Sequence, residues 1–326
     1  MMRRPLMAMG AAGSVLVLAA CGGGEQGGEA GSTEGAAGGE MQDVTVGVIP
    51  IVDTAAIWLG KEQGFFEEEG LNLEIQTTSG GAAAVPGVVS GDFDFAFGNT
   101  LSVMVAQGQG LDLQYVTNGT TTSGNAEKDF GAVVVPADSD IQSPADLAGK
   151  TVSVNNLNNI GDTTIRSVVE EDGGDPSTVD FVEVGFPDAP AALDRGQVDA
   201  AWILDPFLTQ TVEDGARVVS YNFVEFDPEL DIAGYFTTAE KVEQDAEMVQ
   251  KFQSAMNRSL EYANENPDAV REIVGTYTQI DEEMRQKMAL PRFRTEFDRE
   301  ALQKLGDAAV EFGTLEQAPD LDALLP

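Results

Sequence analysis

Histidine is absent from the 326 residues of the chain. Without imidazole, the chain has no histidine-based acid–base catalysis, no Ser-His-Asp triad and no histidine metal site. Gly149-Lys150-Thr151 resembles the end of a phosphate-binding loop, but Pro144 occupies the position of that motif's first glycine. The sequence therefore favours a binding protein over an enzyme, without catalytic residues, metal or cofactor.

Cysteine is nearly absent, since Cys21 is the only one in the chain. A single thiol forms no internal disulfide, so the fold must depend on its apolar core. A positively charged start precedes an apolar run over Met7–Ala20, which ends in Leu18-Ala19-Ala20-Cys21 and resembles the bacterial lipobox. We expect residues 1–20 to be a lipoprotein signal peptide and Cys21 to carry the lipid. A plain secretory signal with an incidental cysteine is the alternative.

Basic residues are few, with 18 Lys and Arg against 55 Asp and Glu and a formal net charge of −37. Such a chain repels nucleic acid, which is excluded as a partner. The acids are spread along the chain and are typical of a solvated surface. Residues 21–42 are rich in Gly, Ala and Glu with almost nothing apolar, a composition that predicts a flexible tether before the folded body.

Short β-branched runs alternate with helical stretches through the body of the chain, which predicts α/β architecture with parallel sheets. The pattern then restarts. Thr45–Val48 resembles Thr151–Val154, and Gly91–Phe97 resembles Gly196–Trp202, at nearly the same offset. This weak repeat predicts two lobes of one design. Because ligands bind beyond the carboxyl ends of strands in open α/β sheets, two such lobes are expected to share one cleft.

Several helices are predicted from periodicity and from helix-breaking residues. A single helix is expected over Ala55–Phe66, and Pro86 is expected to interrupt a short helix over Ala82–Ser90. After residue 237 the chain turns to long, charged, amphipathic stretches, including one over Glu282–Leu290. These predict C-terminal helices that continue to the end of the chain.

A series of motifs resembles the nitrate/sulfonate/taurine class of ABC-importer solute-binding proteins, which includes relatives that bind thiamin-precursor pyrimidines. In chain order they are Lys61–Phe66, Glu69–Leu71, Val89–Asp94, Asp146–Val152, Ala192–Ala200 and Asp205–Phe207. The resemblance covers the body from Asp43 to the C-terminal helices.

The resemblance implies a two-lobe, periplasmic-binding-protein-like (type II) fold that bends at a hinge. Lobe I is expected over 43–128 and 221–326, and lobe II over 129–220. The hinge is expected near 128–131 and 220–223. The implied function is extracytoplasmic: a monomer, anchored to the cell membrane through Cys21, delivers a small molecule to ABC permease subunits.

The candidate ligand-binding residues lie at strand ends and in loops that open helices, where backbone N–H groups are free to bind a ligand oxygen. In lobe I they are Asp53, Thr54, Ser79, Gly80, Gly81, Asn99 and Thr100; in lobe II they are Asn158, Asn159, Gly161, Asp162, Asp188, Trp202 and Asp205. Several have a structural alternative: a helix cap for Asn159 and Asp162, core packing for Trp202, and a solvated loop for Asp188.

The acidic candidates bear on the ligand's charge. A buried carboxylate beside a wholly anionic ligand costs several kcal/mol unless it is paired, so a ligand with a cationic or donor end is favoured. In taurine-type relatives an acid at the position of Asp53 would hold an ammonium group while helix N-termini hold the sulfonate. A sulfonate or taurine-like ligand is therefore the first expectation, and an aminated heteroaromatic such as a thiamin-precursor pyrimidine is the second. A ligand-sensing lobe of a receptor is a third reading.

Overall fold

The computed structural model describes residues 41–326. The predicted signal peptide, Cys21 and nearly all of the predicted tether lie outside the described residues, although the tether was expected to reach Gln42 and the first strand already begins there. Within residues 41–326, no helix is both long enough and apolar enough to cross a membrane.

The described chain contains eleven strands and fourteen α-helices. The strands are β1 (Gln42–Val48), β2 (Leu71–Thr77), β3 (Phe95–Asn99), β4 (Leu113–Thr121), β5 (Gly131–Val135), β6 (Thr151–Val154), β7 (Asp180–Glu183), β8 (Ala200–Leu204), β9 (Arg217–Ser220), β10 (Asp231–Thr238) and β11 (Arg292–Phe293). The helices are α1 (Ala55–Glu62), α2 (Phe65–Glu68), α3 (Gly81–Ser90), α4 (Thr100–Gly108), α5 (Ile160–Glu171), α6 (Ala189–Asp194), α7 (Phe207–Glu213), α8 (Asn222–Phe226), α9 (Ala239–Gln244), α10 (Ala246–Glu265), α11 (Pro267–Tyr277), α12 (Glu282–Lys287), α13 (Arg299–Glu311) and α14 (Leu321–Leu324).

Two mixed sheets organise these elements, with strand orders β11-β4-β10-β3-β1-β2 and β7-β6-β8-β5-β9. In the first sheet β1 is parallel to β2 and β3, and β10 runs antiparallel between β3 and β4. In the second sheet β6 is parallel to β7 and β8, and β5 runs antiparallel between β8 and β9. Each sheet thus contains a parallel trio followed by antiparallel pairs, with β10, β4 and β11 added in the first sheet and β5 and β9 in the second. We call the first sheet with its helices lobe I, and the second sheet with α5–α8 lobe II.

The segments of the weak sequence repeat occupy matching places in the two sheets, because β6 and β8 are related as β1 and β3 are. The same pair of hydrogen bonds occurs once in each sheet, between the two neighbouring strands. The Asp94 carboxylate accepts from the Thr45 N–H at 2.8 Å while the Asp94 N–H donates to the Thr45 carbonyl. Asp199 makes the same two bonds with Thr151. Asp94 also pairs with Lys241 at 2.6 Å. These aspartates therefore hold the start of one strand to its neighbour.

The side chains of β8 separate two apolar clusters. Trp202 and Leu204 belong to the main core, which also contains the buried residues of lobe I. Ala201 and Ile203 point the other way and pack with α6 and α7 in a smaller cluster of lobe II. This alternation follows the period of two along a strand. It places Trp202 on the side of the sheet that faces lobe I.

Three predicted helices differ from the observed ones. The helix expected over Ala55–Phe66 is two helices, because Gly64 adopts the left-handed conformation at a φ of 77° and ends the first of them. Pro86 does not interrupt α3, which packs against β3 and tolerates the loss of one backbone hydrogen bond. The helix expected to reach Leu290 ends at Lys287, since the residue before Pro291 disfavours helical geometry.

Two crossovers connect the lobes, one between β4 and β5 and the other between β9 and β10. They touch each other, since the Thr122 N–H donates to the Leu230 carbonyl at 3.0 Å. The buried Asp129 carboxylate organises the first crossover by accepting from the Thr122 hydroxyl and the Ser123 N–H. Within the second crossover, α8 packs against α5 of lobe II. Movement at these crossovers stays a prediction.

Candidate ligand-binding cleft

The two lobes face each other across a cleft with an inner cavity of about 30 Å³. Lobe I contributes Ile49, Ile51, Asp53, Gly80, Gly81, Phe97, Gly98, Asn99, Ile232 and Ala233, and lobe II contributes Asn155, Ile160, Phe186, Trp202, Leu204 and Phe223. The cavity has room for about two water molecules. A larger ligand therefore needs the lobes to separate or the lining side chains to move.

A wider mouth of about 380 Å³ adjoins the inner cavity and shares Ile49, Ile51 and Phe186 with it. Its remaining lining residues are Pro50, Thr77, Thr78 and Ser79 from lobe I, and Gly185, Pro187, Asp188 and Phe207 from lobe II. A volume of this size falls in the range of small-molecule sites. Apolar and aromatic side chains make up much of the wall, so the mouth suits the ring of a heteroaromatic ligand.

Contacts between the lobes close the cleft on several sides. Near the inner cavity, the Ser102 hydroxyl of lobe I donates to Asn159 Oδ1 of lobe II at 3.1 Å. Farther away, Lys287 of α12 forms a 2.6 Å ion pair with Glu213 of α7. These polar contacts must break when the lobes separate. The structure therefore shows the closed arrangement of the lobes.

Asp53 has the least satisfied acidic side chain of the cleft. It lies in a short 3-10 turn (Val52–Thr54) after β1 and is only 2% exposed. The Thr120 hydroxyl donates to Asp53 Oδ1 at 3.3 Å, whereas Asp53 Oδ2 has no hydrogen-bond partner. Burial raises the pKa of Asp53 from 3.8 to about 7. This carboxyl group therefore has an unused position for a ligand donor.

Trp202 forms part of the lobe II wall and is held by three neighbours. Phe186 and Phe223 pack edge-on against its ring with centroid distances of 5.3 and 5.4 Å. Gly161 lies so close that a Cβ added there would be 2.6 Å from the ring. The predicted ligand residue Gly161 thus makes room for the indole rather than lining the cavity. Trp202 Nε1 is buried and has no hydrogen-bond partner.

The helix that begins at the double glycine presents its N-terminus to the inner cavity. No side chain caps α3, and Gly80 has a φ of 154°, which L-residues with a side chain rarely adopt. A Cβ on Gly81 would be 2.7 Å from the Cα of Gly98, so only glycine permits this approach of the backbone. The uncapped N–H groups and the helix dipole favour a ligand oxygen at this position.

The other two predicted helix starts are satisfied by their own side chains. Asn99 lines the cavity, but its Oδ1 accepts from the Ser102 N–H at 2.8 Å and caps α4. At α5, Asn159 and Asp162 form a capping box. The Asp162 carboxylate accepts from the N–H groups of Asn158 and Asn159, and burial raises its pKa despite these bonds. For this group the structure shows the cap, without a free position for a ligand.

The remaining lobe I candidates divide between the cleft and its support. Ser79 lines the mouth. Thr54 is buried and donates its hydroxyl to the carbonyls of Ile49 and Ile51, which fixes the turn that carries Asp53. Thr100 is buried and donates to the Asp231 carbonyl. Neither threonine lines the inner cavity or the mouth.

The remaining lobe II candidates include one that lies away from the cleft. Asp188 lines the mouth and is exposed. Asn158 is exposed, with a positive φ of 52°. Asp205 is buried on the hinge side, where its carboxylate accepts from the N–H groups of Thr209 and Ala289 at 2.9 Å, and burial raises its pKa to about 6. Asp205 therefore ties α7 to a lobe I segment and does not contact the ligand space.

Sequence reasoning missed several residues of the cavity wall. Asn155 lines the cavity and its side-chain amide lies 3.5 Å from the Ser79 carbonyl of the opposite lobe. Phe97 lines the wall from the middle of β3. A residue's place just beyond the carboxyl end of a strand was the available signal for Asn155. Phe223 had no such signal, because it reaches the cavity from α8, a helix that periodicity did not predict.

No metal site emerges from the described part of the chain, in which no three His, Cys, Asp or Glu side chains are grouped to hold an ion. In the same part, none of the residues that line the inner cavity or the mouth is Lys or Arg. The electrostatics of the cleft therefore come from Asp53, Asp188 and backbone dipoles.

Comparison with known families agrees with this architecture. The sequence model of the family described as NMT1/THI5 like matches residues 52–270. The chain belongs to the NMT1/THI5-like family. A curated protein similar to this NMT1/THI5-like chain is the formylaminopyrimidine-binding protein of Halalkalibacterium halodurans, 25% identical over 225 residues. That match covers 68% of this chain and 65% of the relative, slightly less than two thirds of its length.

Solved structures share the fold of this NMT1/THI5-like protein. The alkanesulfonate-binding protein of Xanthomonas axonopodis pv. citri, bound to MOPS, has a TM-score of 0.74 and 16% identity, covering 88% of this chain and 99% of that one. A desulfurization enzyme has a TM-score of 0.61 and 16% identity, covering 86% and 95%. The predicted periplasmic-binding-protein-like fold is confirmed. Because one of these proteins is an enzyme, the fold alone does not separate binding from catalysis.

Proposed function

We propose that this protein is an extracytoplasmic solute-binding lipoprotein of an ABC importer, which captures a small aminated molecule between its lobes and hands it unchanged to the permease. Three observations support this proposal. The chain belongs to the NMT1/THI5-like family. A curated relative is named as a binding protein. The segment up to Leu18–Cys21 resembles an export signal with a lipobox.

Our inference about the ligand's chemistry rests on a single observation, the buried and unpartnered carboxyl oxygen of Asp53. Its Oδ2 is buried and unpartnered beside a cavity whose described lining residues include no Lys or Arg. A wholly anionic ligand would meet this carboxyl group without a compensating cation, which is costly in a buried site. A ligand amino group, in contrast, supplies the missing hydrogen-bond donor. The ligand should therefore carry an amine or a ring amino group.

An aminated heteroaromatic fits the cleft better than the sulfonate that the sequence placed first. The mouth and inner cavity are lined by Phe97, Phe186, Phe207 and Trp202. Aromatic side chains bind planar rings through stacking and edge contacts. The name of the Halalkalibacterium halodurans relative, which binds formylaminopyrimidine, agrees with this class. An aminopyrimidine is thus our first candidate ligand.

A taurine-like amino-sulfonate is the second candidate, favoured by the uncapped N-terminus of α3. This helix start lines the cavity through Gly80 and Gly81 and provides N–H groups for a sulfonate oxygen. Asp53 would hold the ammonium group at the other end. Both candidates share the same requirement for a donor at Asp53.

Calorimetric titration of the purified protein tests the proposal with two ligand pairs: an aminopyrimidine against the same ring with methyl in place of amino, and taurine against ethanesulfonate. We expect the wild type to bind the aminated member of one pair at least tenfold more tightly. Asp53→Ala should lose about 10- to 100-fold in affinity for that compound, since hydrogen bonds to charged groups are worth about 1.5–3 kcal/mol. The non-aminated analogue should lose little.

Asp138→Ala is the matched control, because Asp138 is an exposed aspartate that lines neither the inner cavity nor the mouth. The affinity of this control variant for the aminated compound should stay within about twofold of the wild type. Equal losses for the aminated and non-aminated compounds in Asp53→Ala would defeat the assignment. Mass spectrometry of the ligand after prolonged incubation with the protein completes the test, because a chemically altered product would show that the protein is an enzyme.

A further inference from the structure

Two buried polar atoms without partners lie on opposite sides of the inner cavity's wall. Among the described residues, seven buried side-chain nitrogen or oxygen atoms lack a hydrogen-bond partner. Only two of the seven belong to residues that line the cavity: Asp53 Oδ2 and Trp202 Nε1. Asp53 follows β1 of lobe I, and Trp202 lies on β8 of lobe II. The two atoms are chemically complementary, because a carboxylate accepts and an indole N–H only donates.

The indole of Trp202 is unable to turn toward another acceptor. It is only 2% exposed, packed edge-on by Phe186 and Phe223, and in contact with the backbone of Gly161. A buried N–H without an acceptor costs free energy, and phenylalanine would fill an apolar wall without that cost. Because Trp202 lines the cavity, a ligand in the cleft is the partner that this donor can reach without unpacking the core.

We infer that the ligand bridges the lobes, with an acceptor atom bonded to Trp202 Nε1 and an amino group bonded to Asp53 Oδ2. This inference rests on the proposed function and deepens it: the ligand class is a compact molecule with a donor at one end and an acceptor at the other. A formylaminopyrimidine has both, as amino and formyl groups. Each lobe alone satisfies one end, so only the closed cleft satisfies both ends of the ligand and both protein atoms.

The chain contains two tryptophans, and the second provides an internal control. Trp58 Nε1 is also buried and unpartnered, but Trp58 stacks on Tyr277 at 4.9 Å and lines neither the inner cavity nor the mouth. Replacing either tryptophan by phenylalanine removes an unpartnered N–H and keeps an aromatic ring. Only Trp202→Phe is expected to affect the ligand.

Calorimetry of wild type, Trp202→Phe and Trp58→Phe with formylaminopyrimidine tests the inference, alongside the same pyrimidine without the formyl group. We expect Trp202→Phe to weaken formylaminopyrimidine binding about 5- to 50-fold, as for loss of one buried hydrogen bond. Trp58→Phe should leave the affinity unchanged. The deformylated compound should bind wild type and Trp202→Phe equally, since it lacks the formyl oxygen that we assign to Trp202 Nε1.

Proton–nitrogen NMR supplies a second readout in the wild type, where the two indole signals are assigned from the two phenylalanine variants. Saturating ligand should shift the Trp202 Nε1–H signal downfield and leave the Trp58 signal in place. Tight wild-type binding with an unmoved Trp202 signal and an unaffected Trp202→Phe would overturn the bridge while the proposed function stands. Absence of binding to formylaminopyrimidine and taurine alike would overturn both.

Discussion

Asp53 is the residue at which we expect ligand binding to be gained at the expense of stability. Its carboxyl group is buried, its nearest hydrogen bond is a long one from Thr120, and its second oxygen is unpartnered. The folded protein therefore disfavours the ionised form, which explains the raised pKa. The sequence predicted Asp53 as an acid at the cleft, because it follows the first strand. Its burial depends on Thr120 and Tyr235, which lie far away in the chain, and no local pattern announces them.

Asp53→Asn should stabilise the protein at neutral pH. The pKa of Asp53 is 3.8 in the unfolded chain and about 7 in the folded protein. The folded protein therefore holds this proton more tightly, so the contribution of Asp53 to stability is fully present below pH 3.8 and is lost as the pH rises through 7. A shift of this size corresponds to about 4 kcal/mol. Urea unfolding should show Asp53→Asn more stable at pH 8, with the difference shrinking toward pH 4.

Asp188→Asn serves as the control for that series, because the exposed Asp188 changes charge without leaving water. Its free energy of unfolding should track that of the wild type within about 0.5 kcal/mol at each pH. A difference between Asp53→Asn and wild type that stays constant from pH 4 to 8 would contradict the account of Asp53.

At the scale of elements, the clearest sequence signal was repetition. The two matched segments predicted two lobes of one design, and the structure places them as β1 with β3 and as β6 with β8. The Asp94–Thr45 and Asp199–Thr151 bonds explain why the motif recurs. In contrast, β11 has only two residues and exists through pairing with β4, so no periodicity could predict it.

The start of α5 is the second element considered at this scale. It packs against the wall of the cleft. Gly161→Ala would place a Cβ 2.6 Å from the Trp202 ring. Overpacking of this kind costs about 1–3 kcal/mol, so urea unfolding should show a loss of that order. Ligand affinity should fall as well, since the indole must shift.

Gly108→Ala is the matched control for Gly161→Ala. Gly108 is also a helical glycine, in α4, and a Cβ added there would make an ordinary 3.8 Å contact with Leu315. Alanine there should leave stability unchanged or raise it by up to about 1 kcal/mol. If the two variants lose equal stability, tight packing at Trp202 is not the cause.

At the scale of the whole molecule, local signals predicted the lobes but not how they meet. Local sequence patterns predict the order of strands and helices, whereas the contacts between lobes join segments that are far apart in the chain. Asp205 is the clearest case: an Asp-Pro at a strand end was expected to face the cleft. Its carboxylate instead accepts from Ala289, 84 residues away, on the hinge side. Phe186 and Phe223, which hold Trp202, likewise come from different elements of lobe II.

The central claim is that two lobes close around a small molecule. The inner cavity of about 30 Å³ is too small for a pyrimidine, so we propose that the ligand enters while the lobes are apart. The contacts Ser102–Asn159 and Lys287–Glu213 would then form on closure. Each pair joins a side chain of lobe I to a side chain of lobe II.

Small-angle X-ray scattering of the purified protein, with and without the ligand that calorimetry identifies, tests this claim most directly. We predict that the radius of gyration decreases at saturating ligand, and that the non-aminated analogue, at a concentration where calorimetry shows the site to be empty, produces no decrease. An unchanged radius of gyration, at a ligand concentration where calorimetry shows the site to be full, would contradict capture by closure of the lobes.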